Sequence, residues 1–250
     1  MTIDITFFAF AVPAVAFAGI SKGGFGSGAA FAATPFLALI LEPAQAVGLM
    51  LPLLMLMDLG ALKPYWRQWD WETAQSLIIG AVPGIMLGAA LFRLADPDIF
   101  RLLIGVIAVA FVAYQLARSI GWLRPATQKM SHRSGMIAGA AAGFTSFISH
   151  AGGPPAAIFL LSRGLGKTGF QATTVIVFWA INLLKFAPYA MLGIFSRETL
   201  LADIYLAPVA LLGVWAGVWF HRMVPEKLFF SLTYLFLLTT GGKLIWDALN

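Results

Sequence analysis

Residues 20–28 read ISKGGFGSG and residues 148–155 read ISHAGGPP, and each stretch interrupts a long apolar segment. Glycine removes the Cβ that restrains the backbone and proline removes an N–H donor, so an α-helix does not continue cleanly through either stretch. The leg after the second break, 154–163, is only about 15 Å long at the α-helical rise, which is half of a membrane. We therefore expect residues 5–41 and 135–163 to form broken, re-entrant helical hairpins.

The composition of the chain excludes a soluble globular protein. Of its 250 residues, 60% are hydrophobic and 11% are charged, whereas soluble domains carry about 25% charged residues. The apolar residues form continuous runs, unlike the alternating strands of outer-membrane barrels. Besides the two hairpins, further runs are long enough to cross about 30 Å of hydrocarbon as helices. They occupy residues 44–62, 72–93, 99–118, 170–194, 199–221 and 227–248. These runs predict an all-α polytopic membrane protein.

The two breaks also mark an internal repeat. Ser21 and Lys22 recur 128 residues later as Ser149 and His150, and a pair of glycines, Gly84 and Gly88, recurs at a spacing of 129 residues. We divide the chain into a first repeat at 1–120, a linker at 121–133 and a second repeat at 134–250. Each repeat holds one hairpin and three spans. Because three is odd, the second repeat begins on the opposite side of the membrane, which predicts inverted repeats like those of many secondary transporters.

The repeated glycines, Gly84 with Gly88 and Gly213 with Gly217, have the Gly-x-x-x-Gly spacing. This spacing is typical of close crossings between membrane helices.

The positions of Lys and Arg between the apolar segments predict the orientation. If each hairpin returns to the side from which it came, ten of fourteen basic residues share one side and four lie on the other. If each broken segment crosses once, the division is seven and seven. The ten are Lys63, Arg67, Arg118, Arg124, Lys129, Arg133, Arg163, Lys167, Arg222 and Lys227, and the four are Arg93, Arg101, Arg197 and Lys243. The positive-inside rule favours returning hairpins, with a cytoplasmic linker at 121–133 and both termini periplasmic.

Hairpins that enter from opposite faces bring their tips together near the membrane midplane. Exposed backbone is tolerated there only when it is packed in protein or lines a wet cavity. Helix N-termini near Gly26 and Pro154 would present free N–H groups and positive dipole ends to this region, which favours an anion. The predicted substrate-binding residues are Ser21, Lys22, Gly23, Gly24, Gly26, Ser27, Ser146, Ser149, His150, Gly152, Gly153, Pro154, Asn182 and Lys185.

Each polar candidate also has a structural interpretation. The Lys22 ammonium needs a compensating partner at this depth, and the alternatives are a bound anion, snorkelling to the surface, or capping of carbonyl groups. Lys185 is a candidate partner for Asp58. Asp58 itself lies five residues before Lys63, so it is open to an interfacial ion pair or, with His150, to proton coupling. The serines can bond their own backbone instead of a ligand.

The sequence predicts no metal site, no cofactor and no enzyme activity. It has no cysteine, no paired acids within the spans, no His-Glu metal motif and no nucleotide-binding loop. An intramembrane hydrolase, in which His150 activates Ser21 or Ser146, is a less favoured alternative. Basic residues stand singly between apolar runs, which argues against nucleic-acid binding. The predicted partners are the lipid bilayer and a small anionic substrate.

The motifs Gly19-x-x-Lys22-Gly23-Gly24-x-Gly26 and Ser149-x-x-Gly152-Gly153-Pro154-Pro155 resemble those of the TauE/SafE sulfite exporter family. The resemblance covers essentially the whole chain. It implies a bacterial inner-membrane permease that exports a small sulfur anion, such as sulfite or the organosulfonate sulfoacetate. It also implies that the motif residues form the core of the pathway. We expect a secondary transporter that works by alternating access around a midplane site, and the alternative is an anion channel on the same scaffold.

Overall fold

The computed structural model describes residues 2–25, 29–123, 129–220, 223 and 225–250. Over these ranges the chain forms ten α-helices and no strand, which confirms the predicted all-α class. In chain order they are α1 Ile5–Ile20, α2 Ala33–Leu37, α3 Pro43–Leu62, α4 Trp71–Leu94, α5 Pro97–Ser119, α6 His132–Ser149, α7 Gly153–Ser162, α8 Lys167–Met191, α9 Arg197–Phe220 and α10 Glu226–Leu249. A π-helical turn, Ser21–Phe25, follows α1, and a 3-10 turn, Ala30–Ala32, precedes α2.

Seven helical segments in the described ranges are long and apolar enough to cross a membrane. Six of them, α3, α4, α5, α8, α9 and α10, cover the spans predicted from the apolar runs. The seventh, Ile5–Gly24, joins α1 to most of the π-helical turn. The chain is therefore a multi-pass membrane protein.

The first break begins where the sequence predicts it, but it starts with a turn of another helix type. The α-helix ends at Ile20, and the chain continues as a π-helical turn, Ser21–Phe25. A methyl group on Gly23 or Gly24 would overlap the carbonyl oxygen of Val214 or Gly217 on α9. This close backbone packing holds glycine in helical form despite its poor helix propensity. The first leg, Ile5–Gly24, is consequently long enough to cross a membrane.

The second break falls where the sequence predicts it. α6 ends at Ser149, and α7 resumes at Gly153 for ten residues. Between them, His150 adopts the left-handed backbone conformation, with φ of 58°, and its N–H donates to the Ser146 carbonyl at 2.9 Å. This conformation is uncommon for residues other than glycine, so the turn that ends α6 is a specific feature of the chain.

Both broken segments turn back on themselves. In the second, the Met130 N–H donates to Ser162 Oγ at 3.4 Å, and Arg163 Nη1 donates to the Met130 carbonyl at 3.3 Å. The end of α7 therefore lies beside the start of α6. In the first, the ring of Phe36 on α2 packs 5.4 Å from that of Phe10 on α1.

Polar contacts connect several helix ends at one end of the bundle, which we call the loop end. His132 Nε2 lies 2.9 Å from Glu72 Oε1, and Arg163 Nη2 donates to the same oxygen at 3.2 Å. The Asp70 N–H donates to Thr173 Oγ1 at 2.9 Å. Helices α4, α6 and α8 therefore begin at the loop end, and α7 finishes there.

We call the opposite end of the bundle the terminal end. Helix α3 begins here, because it ends at the loop end, where α4 starts. Helices α5 and α9 also begin here, because the helices before them, α4 and α8, start at the loop end and finish at this one. Arg101 and Glu42, near the starts of α5 and α3, lie 3.8 Å apart. The Phe8 ring, near the start of α1, and the Tyr205 ring, in the first half of α9, have centroids 6.2 Å apart. Hence α1 begins at the terminal end, whereas α6 begins at the loop end.

Close glycine crossings connect the two halves of the chain. A methyl group on Gly84 would overlap the Ala140 carbonyl oxygen of α6, and one on Gly217 would overlap the Ile20 carbonyl oxygen of α1. Thus α4 packs along α6, and α9 packs along α1. The prediction that the Gly-x-x-x-Gly pairs mark helix crossings is confirmed. Each crossing joins a span of one half to the first leg of the other half's hairpin.

Helix α3 lies at the centre of the bundle. In its most apolar stretch 67% of the residues are buried, compared with 28–44% in the other six spans. α3 packs against α8 and α9 of the second half. Polar groups on α3 are therefore shielded from lipid and face other helices.

Candidate anion-binding site

A buried ion pair joins the first hairpin to α3. Lys22, in the π-helical turn, pairs with Asp58 Oδ1, and the two side chains are 5% and 3% exposed. Lys22 Nζ also lies 3.4 Å from the Leu54 carbonyl oxygen, and Asn182 Nδ2 of α8 donates to Asp58 Oδ2 at 2.7 Å. Both carboxylate oxygens are thus satisfied, as a buried ion pair requires.

A second buried lysine contacts the tip of the other hairpin. Lys185 Nζ of α8 is within hydrogen-bond distance of the Ser146 carbonyl at 3.0 Å, Ser146 Oγ at 2.9 Å and His150 Nδ1 at 2.8 Å. All three groups can form a hydrogen bond with the lysine head group. His150 Nε2 lies 3.0 Å from the Val47 carbonyl oxygen of α3. The second tip is therefore attached to both α8 and α3.

These contacts decide between the structural interpretations of the charged residues. Asp58 pairs with Lys22 and not with Lys63, whose side chain is exposed. Residues five apart on an α-helix lie on different faces, because only spacings of three and four bring side chains together. Lys185 contacts Ser146 and His150 in place of Asp58. Lys22 does not snorkel, because only 7% of the residue is exposed.

A small cavity lies where the two tips meet. Residues of both hairpins, α3 and α8 line it, and they are Lys22, Ala30, Phe31, Leu54, Ser146, His150, Phe178 and Asn182. The lining combines a cation, a hydroxyl and an amide with the faces of two aromatic residues. Chemically, the lining offers both hydrogen-bond donors and apolar side chains.

The remaining predicted residues of the first tip lie apart from the cavity lining or are not described. Gly23 and Gly24 pack against the backbone of α9, and Ser21 is fully buried at the start of the π-helical turn. Gly26 and Ser27 lie outside the described residues. The first tip therefore contributes Lys22 to the cavity together with Ala30 and Phe31 of the returning leg.

In the second tip, Ser146 and His150 line the cavity, and the other predicted residues do not. Ser149 Oγ donates to the Thr145 carbonyl at 3.3 Å, which is the backbone bonding that the sequence left as an alternative. A methyl group on Gly152 would lie 2.9 Å from Phe178 and 3.1 Å from Ser146, so Gly152 borders the cavity wall. Gly153 and Pro154 form the first turn of α7.

The start of α7 offers fewer N–H donors than expected. Pro154 and Pro155 carry no backbone N–H, and the Ala156 N–H donates to the Gly152 carbonyl at 3.3 Å. The favourable dipole end of the helix remains, but donors for a bound anion come mainly from side chains of the cavity.

Sequence reasoning missed several residues around the site. Phe178 and Tyr189 lie on the same face of α8 as Asn182 and Lys185, at spacings of four, three and four residues. This periodicity was the signal that could have identified them. Tyr189 is fully buried and donates to the Phe147 carbonyl at 2.6 Å, so it fixes the last turn of α6 close to the tip.

The geometry does not form the serine–histidine pair of the hydrolase alternative. His150 directs Nδ1 at Lys185 and Nε2 at Val47, and the Ser146 hydroxyl contacts Lys185. Among the residues that the structure describes, no group of three or more His, Asp or Glu could hold a metal ion.

Comparison with known protein families gives a match to nearly the whole chain. The family model described as "Sulfite exporter TauE/SafE" matches residues 11–244, nearly the full chain. No curated protein and no solved structure matches this chain.

Proposed function

This chain belongs to the TauE/SafE sulfite exporter family, and from that premise we propose that it exports a small sulfur-containing anion across the bacterial inner membrane as a secondary transporter. The proposed substrate is sulfite or an organosulfonate such as sulfoacetate. The observation that carries the proposal is the cavity between the two tips, with Lys22 in its wall. Membership of a transporter family argues against an enzyme.

The hydrogen bonds around the cavity support a bound oxyanion. Lys22 directs hydrogens at Asp58 and Leu54, Asn182 directs one at Asp58, and Ser146 Oγ accepts from Lys185. One hydrogen each of the Lys22 ammonium, the Asn182 amide and the Ser146 hydroxyl has no acceptor among the described residues. Three donors in the cavity lining suit the three oxygens of a sulfite or sulfonate group.

We propose that the two repeats are inverted and move relative to one another in alternating access. Supporting this, α1 begins at the terminal end and α6 at the loop end, and the glycine crossings pair each half with the other's hairpin. Small residues at these crossings let helix backbones slide in close contact. Such a movement would open the cavity first to one end of the bundle and then to the other.

In the proposed orientation, the loop end is cytoplasmic and both termini are periplasmic. The excess of basic residues in the loops at that end supports this assignment. Export of an anion then runs down the membrane potential, which supplies about 2.3 kcal/mol per charge per 100 mV. The transporter therefore needs no nucleotide as a source of energy.

Efflux of sulfite from liposomes that contain the purified protein tests this function. We expect Lys22→Gln to lower the rate at least roughly tenfold, because it removes the positive charge and leaves Asp58 as an uncompensated buried anion. Lys63→Gln changes an exposed lysine and is the matched control. The double variant Lys22→Gln/Asp58→Asn restores the charge balance, and it should insert stably yet still transport slowly.

Sulfite efflux by Lys22→Gln equal to that of the Lys63→Gln control would exclude the proposed site. Saturation of the rate, with competition between sulfite and a sulfonate, is expected for a transporter. A rate that rises linearly with concentration would instead indicate an anion channel on the same scaffold.

A further inference from the structure

Asp203, on α9, is a buried acid that takes no part in the cavity between the tips. The residue is 7% exposed, and neither of its carboxyl oxygens has a hydrogen-bond partner in the described chain. It lies within the candidate membrane span Arg197–Gly217. An ionisable side chain in a membrane span is normally paired with another group or belongs to an ion or proton pathway. The missing partner favours the second of these roles for Asp203.

The elements packed against α9 bring no balancing charge to Asp203. These elements are α1, the π-helical turn and α3. Helix α1 has no titratable side chain, and Lys22 of the π-helical turn pairs with Asp58 of α3. The other charged residues of these elements, of their flanks and of the start of α9 are exposed, and they are Asp4, Glu42, Lys63, Arg197 and Glu198. No salt bridge joins Asp203 to any residue that the structure describes.

These surroundings suit a neutral carboxyl group better than a carboxylate. Burial of a charge without a partner costs far more free energy than burial of a neutral polar group, so a carboxyl group in such a place binds a proton. A metal cation would need several further oxygen ligands. No cluster of His, Asp or Glu side chains that could supply them occurs in the described part of the chain. The chemistry of the position therefore fits a proton as its ligand.

Asp203 lies on the side of α9 that packs against α1. Ala210 and then Gly213 follow it at spacings of seven and three residues, which keep side chains on one side of a helix. A methyl group on Gly19 of α1 would lie within 3.0 Å of the backbone of both. The ring contact near the start of α1 shows that the two helices stay together toward the terminal end. The buried carboxyl group therefore meets bulk water only when this packing loosens.

We infer that Asp203 is a proton-binding site that keeps the crossing of α1 and α9 closed toward the terminal end. With its proton bound, the carboxyl group stays within the packed helices. Release of the proton to water leaves a carboxylate, which favours an arrangement in which the crossing has opened and water reaches it. Opening therefore becomes easier as pH rises, because the open form holds the proton less tightly. The inference rests on the proposed movement at this crossing and not on the identity of the anion.

A buried thiol beside Asp203 reports this opening directly. Leu206→Cys changes a fully buried residue about one turn along α9, in a chain without other cysteines. In detergent, N-ethylmaleimide labels this thiol when the crossing opens. The labelling rate is divided by the rate in the Asp203→Asn background, which cannot titrate, so the intrinsic pH dependence of the thiol cancels. We expect this ratio to rise at least roughly tenfold between about pH 6 and 9.

Asp98→Asn is the matched control, because Asp98 is an exposed acid at the start of α5. In the Leu206→Cys protein it should leave the pH dependence of labelling unchanged. A ratio that stays constant with pH would overturn the inference, and so would labelling that depends on sodium at fixed pH, which would assign a metal cation to Asp203. The measurement uses no substrate, so either result leaves sulfur-anion export intact, whereas a lack of sulfite efflux would count against the proposed function alone.

Thermal unfolding provides a second measurement if Leu206→Cys does not fold. Unfolding exposes Asp203 to water, where a carboxyl group ionises, so the wild type should lose stability relative to Asp203→Asn as pH rises. We expect the difference between their unfolding midpoints to shift by at least roughly 2 °C between about pH 5 and 8. A difference that is the same at every pH would overturn the inference.

Discussion

Two buried side chains, those of Asp203 on α9 and Thr34 on α2, have oxygen atoms without a hydrogen-bond partner in the described chain. Asp203 is 7% exposed, and both of its carboxylate oxygens are affected. A buried polar group without a partner is destabilising by about 1–3 kcal/mol. Asp203 therefore contrasts with Asp58, whose two oxygens both accept hydrogen bonds.

We expect Asp203→Leu to raise the stability of the protein by about 1–3 kcal/mol, because it replaces an unsatisfied buried carboxyl with an apolar side chain of similar size. Thermal unfolding of the purified protein in detergent measures the change. Asp98→Leu is the matched control, since Asp98 is 62% exposed and pairs with Arg101. That variant should be no more stable than the wild type, and a loss of stability in Asp203→Leu would show that its carboxyl has a partner the protein needs.

The sequence identifies the polar residues of the site better than it identifies their partners. Lys22 and His150 stand out because a polar side chain in a glycine-rich break is rare within apolar segments. Their partners cannot be found in the same way, since Asp58 lies 36 residues from Lys22, and Lys185 lies 35 residues from His150. Such contacts depend on how α3 and α8 pack, which local periodicity does not specify.

Among the helices, α4 with α6 and α9 with α1 form close glycine crossings. A methyl group at Gly84 has no room, because the Ala140 carbonyl oxygen occupies its position. An added methyl group could be accommodated only if α4 and α6 moved apart, because the atom in its way belongs to the main chain and not to a flexible side chain. The crossings fix how each hairpin is held by the opposite half.

Gly84→Ala should destabilise the protein by about 1–3 kcal/mol, the usual effect of overpacking. Gly60→Ala is the matched control on a helix, because no atom lies within 4 Å of the added methyl group. It should be neutral or stabilising by up to about 1 kcal/mol, since alanine has the higher helix propensity. Chemical or thermal unfolding of both variants checks the difference, and equal effects would place α4 farther from α6.

The first break shows where helix prediction from sequence reaches its limit. Gly23 and Gly24 predict that the α-helix is interrupted, and it does end at Ile20, but the sequence did not predict the π-helical turn that follows it. The favourable packing against Val214 and Gly217 outweighs local propensity. At the second break, Pro154 and Pro155 enforce the interruption through their missing N–H groups, so there the prediction is correct.

At the scale of the whole molecule, the path of the chain places both termini at one end of the bundle. The loop end holds the starts of α4, α6 and α8, which are tied together through Glu72, His132, Arg163 and the Asp70–Thr173 hydrogen bond. Outside the spans, hydrogen bonding by Thr73 also lowers the pKa of the Asp70 carboxyl. This end therefore carries fixed charge at neutral pH, as suits a membrane surface.

The absence of cysteine from the sequence allows a direct test of sidedness. Single cysteines at Gln68 and Asn250, both exposed positions, lie at the loop end and the terminal end. In intact cells, a membrane-impermeant maleimide should label Asn250→Cys and not Gln68→Cys, because the basic loops stay in the cytoplasm. Permeabilised cells serve as the control for both positions, and the reverse pattern in intact cells would invert the proposed orientation.

Helix α3 is held by both breaks: His150 contacts the Val47 carbonyl near its start, and Lys22 contacts Asp58 near its end. These anchor points are about 16 Å apart along the helix axis. Pro52 lies between them and removes one backbone hydrogen bond, which makes a helix easier to bend. The helix is therefore easiest to bend between its two anchor points. An anion that displaced either contact would let α3 bend and would so change the geometry of the other contact. Binding at one tip would then affect the other tip through α3.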